Sequence, residues 1–290
     1  MAYLWIPPTG QVDVWCLSLD DPAVDVNILA GLLSTDEHRR ASAFACGHHQ
    51  RRFVVARAGL RWLLGAYLGR RPSALRFRYG PHGKPELDEV SAPPFSFNLA
   101  HAEGLAVYAV FGGREVGVDI ERIRPELADA AIATRFFSPL EQRQLAKVDS
   151  IHWTEAFFAC WTRKEAYLKA RGDGLSRPLD SFDVVVDPAR PPALLATRPD
   201  HWEAARWRLS SFIPAPGFIG TLAVAGVIRN VSCSPLRVTH WSPTDQAPGR
   251  LKTPKTTETL CHSLAAFRCE KSPMFSLRPP AYPPARAIFF

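Results

Sequence analysis

Gly117–Glu121 is a short segment in which apolar and acidic side chains alternate. If the segment is a β-strand, Asp119 and Glu121 project from one face and Val118 and Ile120 from the other, because successive strand side chains point to opposite faces. Two carboxylates on one face suit a hard divalent cation, which prefers oxygen ligands. The segment therefore predicts a strand that supplies part of a metal site.

Trp161–Lys169 carries acidic and basic groups at helical spacing. Trp161, Glu165 and Lys169 recur every four residues, so a helix aligns them along one stripe, with Lys164 beside it. We expect Glu165 to join the two strand carboxylates around a single cation. Trp161 is expected to pack rather than to react, because a large indole on this stripe can hold the helix against a core.

Each segment alone also has an ordinary structural explanation. An acidic strand followed by Arg122 and Arg124 is commonly a solvated surface. The charged residues of the helix, as exposed pairs, would contribute only about 0.2 to 0.5 kcal/mol each. The occurrence of both segments in one chain favours the chemical interpretation.

Composition places the chain among folded globular proteins. Its 290 residues are 47% hydrophobic and 11% aromatic, enough for one large or two ordinary domains and too apolar for a wholly disordered chain. No apolar run approaches the ~20 residues that span a bilayer, and the N-terminus lacks the pattern of a signal peptide. These features predict a soluble, cytoplasmic protein that does not enter membranes.

The charge of the chain is unevenly distributed. The formal net charge is +7, and the segment from Pro243 onward has seven Lys or Arg against three Asp or Glu, so this tail carries +4 and the remainder +3. A modestly basic body fits a phosphate-rich ligand or an acidic protein partner better than it fits nucleic acid. Six cysteines without a C-x-x-C spacing indicate neither a zinc site nor a disulfide framework.

The order of predicted elements suggests two α+β halves of similar content in a pseudo-twofold arrangement. We predict an N-terminal subdomain over 1–112, a C-terminal subdomain with the metal site over 113–241, and a proline-rich, disordered and dispensable tail over 242–290. No repeated sequence motif supports the relation between the halves, which rests on element order alone. Two equivalent halves on one chain favour a monomer.

Several segments, in order, resemble the motifs of the Sfp-type 4′-phosphopantetheinyl transferases. The strand and helix segments above are similar to Gly-x-Asp-x-Glu and Trp-x-x-Lys-Glu-(Ala/Ser)-x-x-Lys of that family. Further matches are Phe97–Ala102, Gly83–Pro85, Arg135–Ser138 and Gly174–Ser176. The resemblance implies transfer of the phosphopantetheine arm of coenzyme A to a serine of an acyl or peptidyl carrier protein, with release of adenosine 3′,5′-bisphosphate.

The resemblance also implies roles for individual residues. Asp119, Glu121 and Glu165 would hold Mg²⁺, and Asp119, Glu165 and Lys169 would be catalytic. Glu165 is a candidate both for metal ligand and for acceptor of the serine proton, and the sequence does not separate the two roles. Lys169 would neutralise the leaving phosphate, with Lys164 as a weaker candidate.

Coenzyme A would be bound by basic groups from the first half, together with Lys164 and Lys169 of the helix. The resemblance indicates Lys84, in a turn rich in Gly and Pro, His101, between the predicted strands 95–99 and 105–111, and Arg52. Arg57 and Arg61 follow Arg52 on the same predicted helix. They are expected either to share in phosphate binding or to form a solvated basic face.

The motif around His101 departs from the family pattern. Ala100 and Ala102 replace the serines that usually flank the histidine, so a hydroxyl contact with coenzyme A would be missing. The carrier protein is expected to dock by charge complementarity near the apolar segments 131–137 and 157–161. Core packing explains most of these apolar residues equally well, so both interpretations stay open.

Two other functions remain open at this point. A magnesium-dependent coenzyme A pyrophosphatase would use the same residues with water as nucleophile. A non-catalytic nucleic-acid or scaffold protein would fit the pI of about 9.3, although no nucleic-acid-binding module is recognisable.

Overall fold

The computed structural model describes residues 6–88 and 95–237. The elements of the first half are β1 (Gln11–Ser18), α1 (Val26–Ala30), α2 (Thr35–Ser42), α3 (Gly47–Leu68), β2 (Phe77–Tyr79), β3 (Pro85–Leu87), β4 (Ser96–Ala102) and β5 (Leu105–Phe111). His101 therefore lies on a strand and not in the predicted break between two strands, because β4 continues to Ala102.

The second half repeats this order, with one additional short helix before its last two antiparallel strands. Its elements are β6 (Val116–Arg122), α4 (Ala130–Phe136), α5 (Pro139–Leu145), α6 (Ser150–Arg171), β7 (Phe182–Val184), β8 (Leu194–Thr197), α7 (Glu203–Arg206), β9 (Trp207–Phe212) and β10 (Phe218–Ala225). Strand β11 (Asn230–Pro235) follows. Three strands of each half form an antiparallel sheet, in the orders β1-β5-β4 and β6-β10-β9. The expected pair of similar halves is thus visible in both element order and sheet order.

The last strand does not follow the predicted division of the chain. Strand β11 pairs in parallel with β1, with Val231 opposite Val12, and so extends the sheet of the first half. Residues 230–235 were expected in the second subdomain, so that boundary is wrong for this strand. The division at residue 112 otherwise stays a prediction, and the predicted tail over 242–290 lies outside the described residues.

One long helix covers the outer face of each sheet. Helices α3 and α6 both contain 22 residues, and each ends at a glycine with positive φ, Gly69 at +62° and Gly172 at +78°. Left-handed backbone is strained for residues with a side chain, so glycine ends both helices at comparable points. The two halves therefore place helices of equal length against sheets of equal order.

Three hydrophobic clusters give the layers of the molecule. The first packs α3 against β1 and β5 through residues such as Leu60 and Leu17, and the second packs α6 against β10 and β9. The third lies between the two sheets and includes Val14, Val107 and Val118. Because strand side chains alternate, one face of each sheet packs against a helix and the other face packs against the opposite sheet. The layers are helix, sheet, sheet, helix.

A buried carboxylate ties the short helix α2 to the long helix α3. The carboxylate of Glu37 accepts from the backbone N–H of Ser34 at 2.9 Å, from Arg57 Nε at 2.5 Å and from Arg61 Nε at 2.6 Å. Arg61 also donates to the carbonyl oxygen of Leu75 at 2.8 Å. Arg57 and Arg61 are therefore neither a solvated face nor a phosphate site, because their guanidinium groups are buried against Glu37.

The second half contains an equivalent buried carboxylate paired with a basic residue of its long helix. Glu141 of α5 accepts from the N–H of Ser138 at 2.8 Å, and its two oxygens accept from Lys164 Nζ at 2.6 and 2.7 Å. Both carboxylates belong to a capping box of the form Ser-x-x-Glu, in which the helix-capping serine and the glutamate three residues later satisfy each other's backbone N–H. A buried carboxylate needs a paired charge, and the long helix supplies it in both halves.

Within residues 6–88 and 95–237, no helix combines the length and apolar character that a membrane crossing requires. The four cysteines of those residues are unbridged thiols, namely Cys16, Cys46, Cys160 and Cys233. Cys160 is buried, whereas Cys46 is exposed.

Candidate functional site

Strand β6 crosses helix α6 at Gly117. A Cβ atom at this position would lie 2.1 Å from the carbonyl oxygen of Ala166 and 2.3 Å from the backbone nitrogen of Ala170. Only glycine permits this approach, since both obstructing atoms belong to backbone. The close crossing brings Asp119, two residues later on the same strand face, against the last turns of α6.

Asp119 and Lys169 form an ion pair in this crossing. Lys169 Nζ donates to Asp119 Oδ1 at 2.6 Å, and Asp119 is only 5% exposed. The second oxygen, Asp119 Oδ2, is buried and accepts no hydrogen bond. Burial raises the pKa of Asp119, and the charge of Lys169 acts in the opposite direction. An unsatisfied buried carboxylate oxygen is uncommon in folded proteins, and this oxygen is available to a cation or to water.

Glu121 and Glu165 belong to the same charged group. Burial, followed by the charge of Asp119, raises the pKa of Glu121 to about 8 and that of Glu165 to about 7. The strand and helix thus bring the three predicted carboxylates near enough to perturb one another and Lys169. Repulsion between like charges makes such a group a candidate for binding a cation.

The side chains of the three carboxylates are not spaced as a complete set of metal ligands. Within the described ranges, no three Asp, Glu, His or Cys side chains have the spacing of a metal-binding group. One oxygen of Asp119 is instead engaged by Lys169. Convergence of Asp119, Glu121 and Glu165 on a single ion therefore stays a prediction.

His101 lies between charged groups from both halves. Burial, and then the charges of Lys169 and Arg52, lower the pKa of His101 to about 4, so the imidazole is neutral near pH 7. Arg52, at the start of α3, donates from Nε to Asp20 Oδ1 at 2.8 Å. The structure thus brings together three of the residues predicted to contact coenzyme A, Arg52, His101 and Lys169, at the junction of the halves.

The alanines beside His101 face the opposite way. Ala100 and Ala102 pack against the hydrophobic cluster between the two sheets. A strand reverses its side-chain direction at every residue, so groups that flank His101 point away from it. An alanine at these positions fits the apolar layer behind the site.

The ammonium groups of Lys84 and Lys164, which were predicted to contact coenzyme A, form hydrogen bonds inside the protein instead. Lys84 Nζ donates to the carbonyl oxygens of Lys169 at 2.8 Å, Ala170 at 2.9 Å and Val116 at 3.3 Å. Lys164 is 1% exposed and donates to Glu141 and to the carbonyl oxygen of Phe182. Lys164 is therefore corrected from a coenzyme A contact to a structural ion pair, because its charge is neutralised inside the second half.

Trp161 packs, as its position on the stripe predicted. Its ring is stacked near Phe157, with centroids 6.4 Å apart, and meets Phe136 edge to face at 5.9 Å. Phe157 and much of the segment 157–161 belong to the hydrophobic cluster under α6. That segment is therefore core and not the predicted docking surface, whereas Arg135 in the segment 131–137 is exposed.

Sequence reasoning missed three residues that shape the site. Asn98 Oδ1 accepts from the backbone N–H of Val118 at 3.0 Å and joins β4 to β6. Asp20 holds Arg52, and Glu141 holds Lys164. The Ser-x-x-Glu spacing of the capping box offered a signal for Glu141. Asn98 lies in the matched segment Phe97–Ala102, which offered a signal for it. No local pattern distinguishes Asp20, since its partner Arg52 is distant in sequence.

Comparison with known proteins places this site in a family. Residues 115–223, which contain β6 and α6, match the 4′-phosphopantetheinyl transferase superfamily. The 4′-phosphopantetheinyl transferase HetI of Nostoc sp. is 36% identical over 234 residues, which are 78% of this chain and 95% of HetI. A putative 4′-phosphopantetheinyl transferase of Synechocystis sp., slr0495, is 35% identical over 69% of this chain and 79% of its own.

The protein Sfp of Bacillus subtilis, also a 4′-phosphopantetheinyl transferase, is 35% identical over 52% of this chain and 71% of Sfp. These matches confirm the resemblance drawn from the motifs. The alignment covers nearly the whole length of HetI, and the region that matches the family contains the Asp119–Lys169 pair. The chain therefore belongs to the 4′-phosphopantetheinyl transferases.

Proposed function

We propose that the protein transfers the 4′-phosphopantetheine group of coenzyme A to a serine of an acyl or peptidyl carrier protein and releases adenosine 3′,5′-bisphosphate. One observation carries the proposal beyond family membership. A buried lysine–carboxylate pair, Lys169 with Asp119, lies beside Glu121 and Glu165 and close to basic groups of the other half. Such a combination suits phosphoryl transfer, because a cation neutralises phosphate charge and carboxylates can hold a metal ion or accept a proton.

The reaction forms a bond between the serine oxygen and the β-phosphorus of coenzyme A and breaks the bond to the bisphosphate. Glu165 is proposed to accept the serine proton, since a carboxylate beside a bound cation can act as the base when it is within reach of the hydroxyl. Lys169 is proposed to neutralise the departing phosphate. Its contact with Asp119 holds the ammonium in place before that charge develops.

Mg²⁺ is proposed to be held by Asp119, Glu121 and Glu165. The donor set fits, because all three offer oxygen ligands and Asp119 Oδ2 has no other partner. When bound, the ion would neutralise pyrophosphate oxygens. Magnesium in proteins is usually bound by one or two carboxylates together with substrate phosphates, so a complete cage of protein ligands is not required.

Arg52 and His101 are proposed to contact coenzyme A. Arg52 is held by Asp20, which orients its guanidinium fork. His101 is neutral near pH 7 and offers a donor or an acceptor rather than a charge. The acidic carrier protein is proposed to dock by charge complementarity with the basic body of the chain, where Arg135 is exposed. A monomer in the cytoplasm remains the proposed state.

The transfer reaction is tested by mass spectrometry. Purified protein is incubated with coenzyme A, Mg²⁺ and a panel of apo carrier proteins, and the expected result is the phosphopantetheine mass increment on one or more carriers. Rapid release of bisphosphate without any carrier would identify a coenzyme A pyrophosphatase instead. Absence of the increment on every carrier would contradict the proposed function.

The metal assignment is tested with Asp119→Asn. This variant is expected to lose transfer by at least about 100-fold, and Mg²⁺ should raise the melting temperature of the wild type but not of the variant. Asp149→Asn is the matched control, because Asp149 is exposed and makes no side-chain cap bond at the start of α6. Near-normal transfer by Asp119→Asn would contradict the assignment.

A further inference from the structure

Lys84 reaches from the first half into the second through a tight turn. The backbone N–H of Gly80 donates to the carbonyl oxygen of Lys84 at 3.0 Å, and that of Gly83 donates to Gly80 at 2.9 Å. Gly83 has φ of +82°, which glycine adopts without strain. The β2–β3 hairpin therefore presents Lys84 from a fixed turn.

The ammonium of Lys84 satisfies carbonyl groups that the helix cannot satisfy. Lys169 and Ala170 lie in the last turn of α6, where carbonyl oxygens have no partners within the helix. Lys84 donates to both, at 2.8 and 2.9 Å. A cation is also favoured there because the C-terminal end of a helix carries partial negative charge.

The third bond of Lys84 goes to strand β6. Its acceptor is the carbonyl oxygen of Val116, at 3.3 Å. Asn98 accepts from the N–H of Val118, two residues along the same strand. Two side chains of the first half thus satisfy backbone groups of β6 that would otherwise need water or another strand.

Together with the Lys169–Asp119 ion pair, these hydrogen bonds form a closed cycle of contacts among Lys84, α6 and β6. Lys84 binds the backbone of Lys169 and the backbone of β6, and the side chain of Lys169 binds Asp119 on that same strand. We propose that Lys84 is a positioning residue, which fixes Lys169 and Asp119 relative to each other for phosphoryl transfer and does not itself bind coenzyme A. The inference rests on the proposed function and departs from the role that the family resemblance implies for Lys84.

The first test separates positioning from coenzyme A binding by kinetics. Lys84→Met keeps an unbranched side chain that is shorter only by the ammonium nitrogen, and so removes the donors. The value of kcat per folded enzyme is expected to fall by about 10- to 100-fold, while KM for coenzyme A changes by less than about threefold. A rise in KM with unchanged kcat would overturn the proposal in favour of direct binding. Arg78→Met is the matched control, because Arg78 lies on the same hairpin, is exposed and pairs with Glu86 at the surface.

A double-mutant cycle separates positioning from general loss of stability. In a Lys169→Met background, Lys84→Met should lower kcat by less than about twofold, because the side chain that it positions is already gone. If the fold-losses in kcat from Lys84→Met and Lys169→Met multiply in full in the double variant, the proposal that Lys84 acts through Lys169 is overturned. Asn98→Ala removes a bond to the same strand and leaves the bonds from Lys84 to α6 in place, and its effect is expected to multiply with that of Lys169→Met.

The last test does not depend on the activity. In Lys84→Met, hydrogen exchange should accelerate at 116–119 and 168–172 and stay unchanged in α3. Unchanged exchange at those two segments would overturn the positioning role even if the protein proved to have another activity. Failure of the wild type to modify any carrier, with accelerated exchange in the variant, would contradict the proposed function alone.

Discussion

Asp119 and Asp13 are buried carboxylates on the strand faces that pack against the two long helices, and their surroundings differ. Asp13 accepts from Tyr67 at 2.8 Å, Ser232 at 2.8 Å and Gln11 at 2.6 Å, all of them neutral donors. Asp119 accepts from Lys169 on one oxygen and has no partner on the other. A carboxylate fully satisfied by neutral groups is structural, whereas an unsatisfied one beside other carboxylates can take a ligand.

His101 is expected to make stability depend on pH. Its pKa is about 4 in the folded protein, below the ordinary value of 6.5, so the unfolded chain takes up the proton first as pH falls. Stability is therefore lost between about pH 6.5 and 4. We expect His101→Asn to remove up to about 3 kcal/mol of that loss.

Urea unfolding at pH 7 and pH 4.5 measures this effect. His201→Asn serves as the control, because His201 is exposed. An acid-induced loss in His101→Asn as large as that of the wild type would refute the assignment of a buried, neutral imidazole.

At the scale of elements, the crossing of β6 and α6 depends on Gly117. We expect Gly117→Ala to destabilise the protein by about 3 kcal/mol or more, because the added methyl group meets backbone atoms of Ala166 and Ala170 that cannot rotate away. Chemical denaturation gives the change in stability, and the carrier assay gives the loss of transfer. Gly47→Ala should stay within about 0.5 kcal/mol, since nothing lies within 4 Å of an added Cβ there.

The attachment of α2 to α3 provides another prediction. Glu37→Gln leaves Arg57 and Arg61 buried without their carboxylate, and we expect a loss of about 3 to 5 kcal/mol. Glu126→Gln is the control, because Glu126 is exposed. Thermal and urea unfolding of both variants measure the difference, and a loss below about 1 kcal/mol in Glu37→Gln would show that the buried pairs contribute little.

At the scale of the whole molecule, the chain returns to its first sheet at its last described strand. A chain that ends after Arg229 lacks β11, and so loses its pairing with β1 and the bond from Ser232 to Asp13. We expect this truncation to unfold at lower urea concentration than a chain that ends after Arg237, which keeps every element from β1 to β11. Equal midpoints for the two chains would show that β11 adds nothing to the fold.

Much of the site follows from local patterns. Alternation in β6 and a four-residue repeat in α6 predicted which faces carry Asp119, Glu165 and Lys169, because the geometry of a strand or helix depends on near neighbours. Element order predicted the two similar halves, and the family motifs predicted the transferase. The crossing at Gly117 then gives these faces their contact.

The direction of the other cations was decided only by the tertiary structure. Lys84, Arg57, Arg61 and Lys164 were expected to reach ligand or solvent, and each turns into the protein instead. Their acceptors lie far away in sequence, as Lys169 does from Lys84, at 85 positions. The sequence by itself determined the types and faces of the reactive groups, whereas the fold decided which charges are buried, because burial depends on which distant segments pack together.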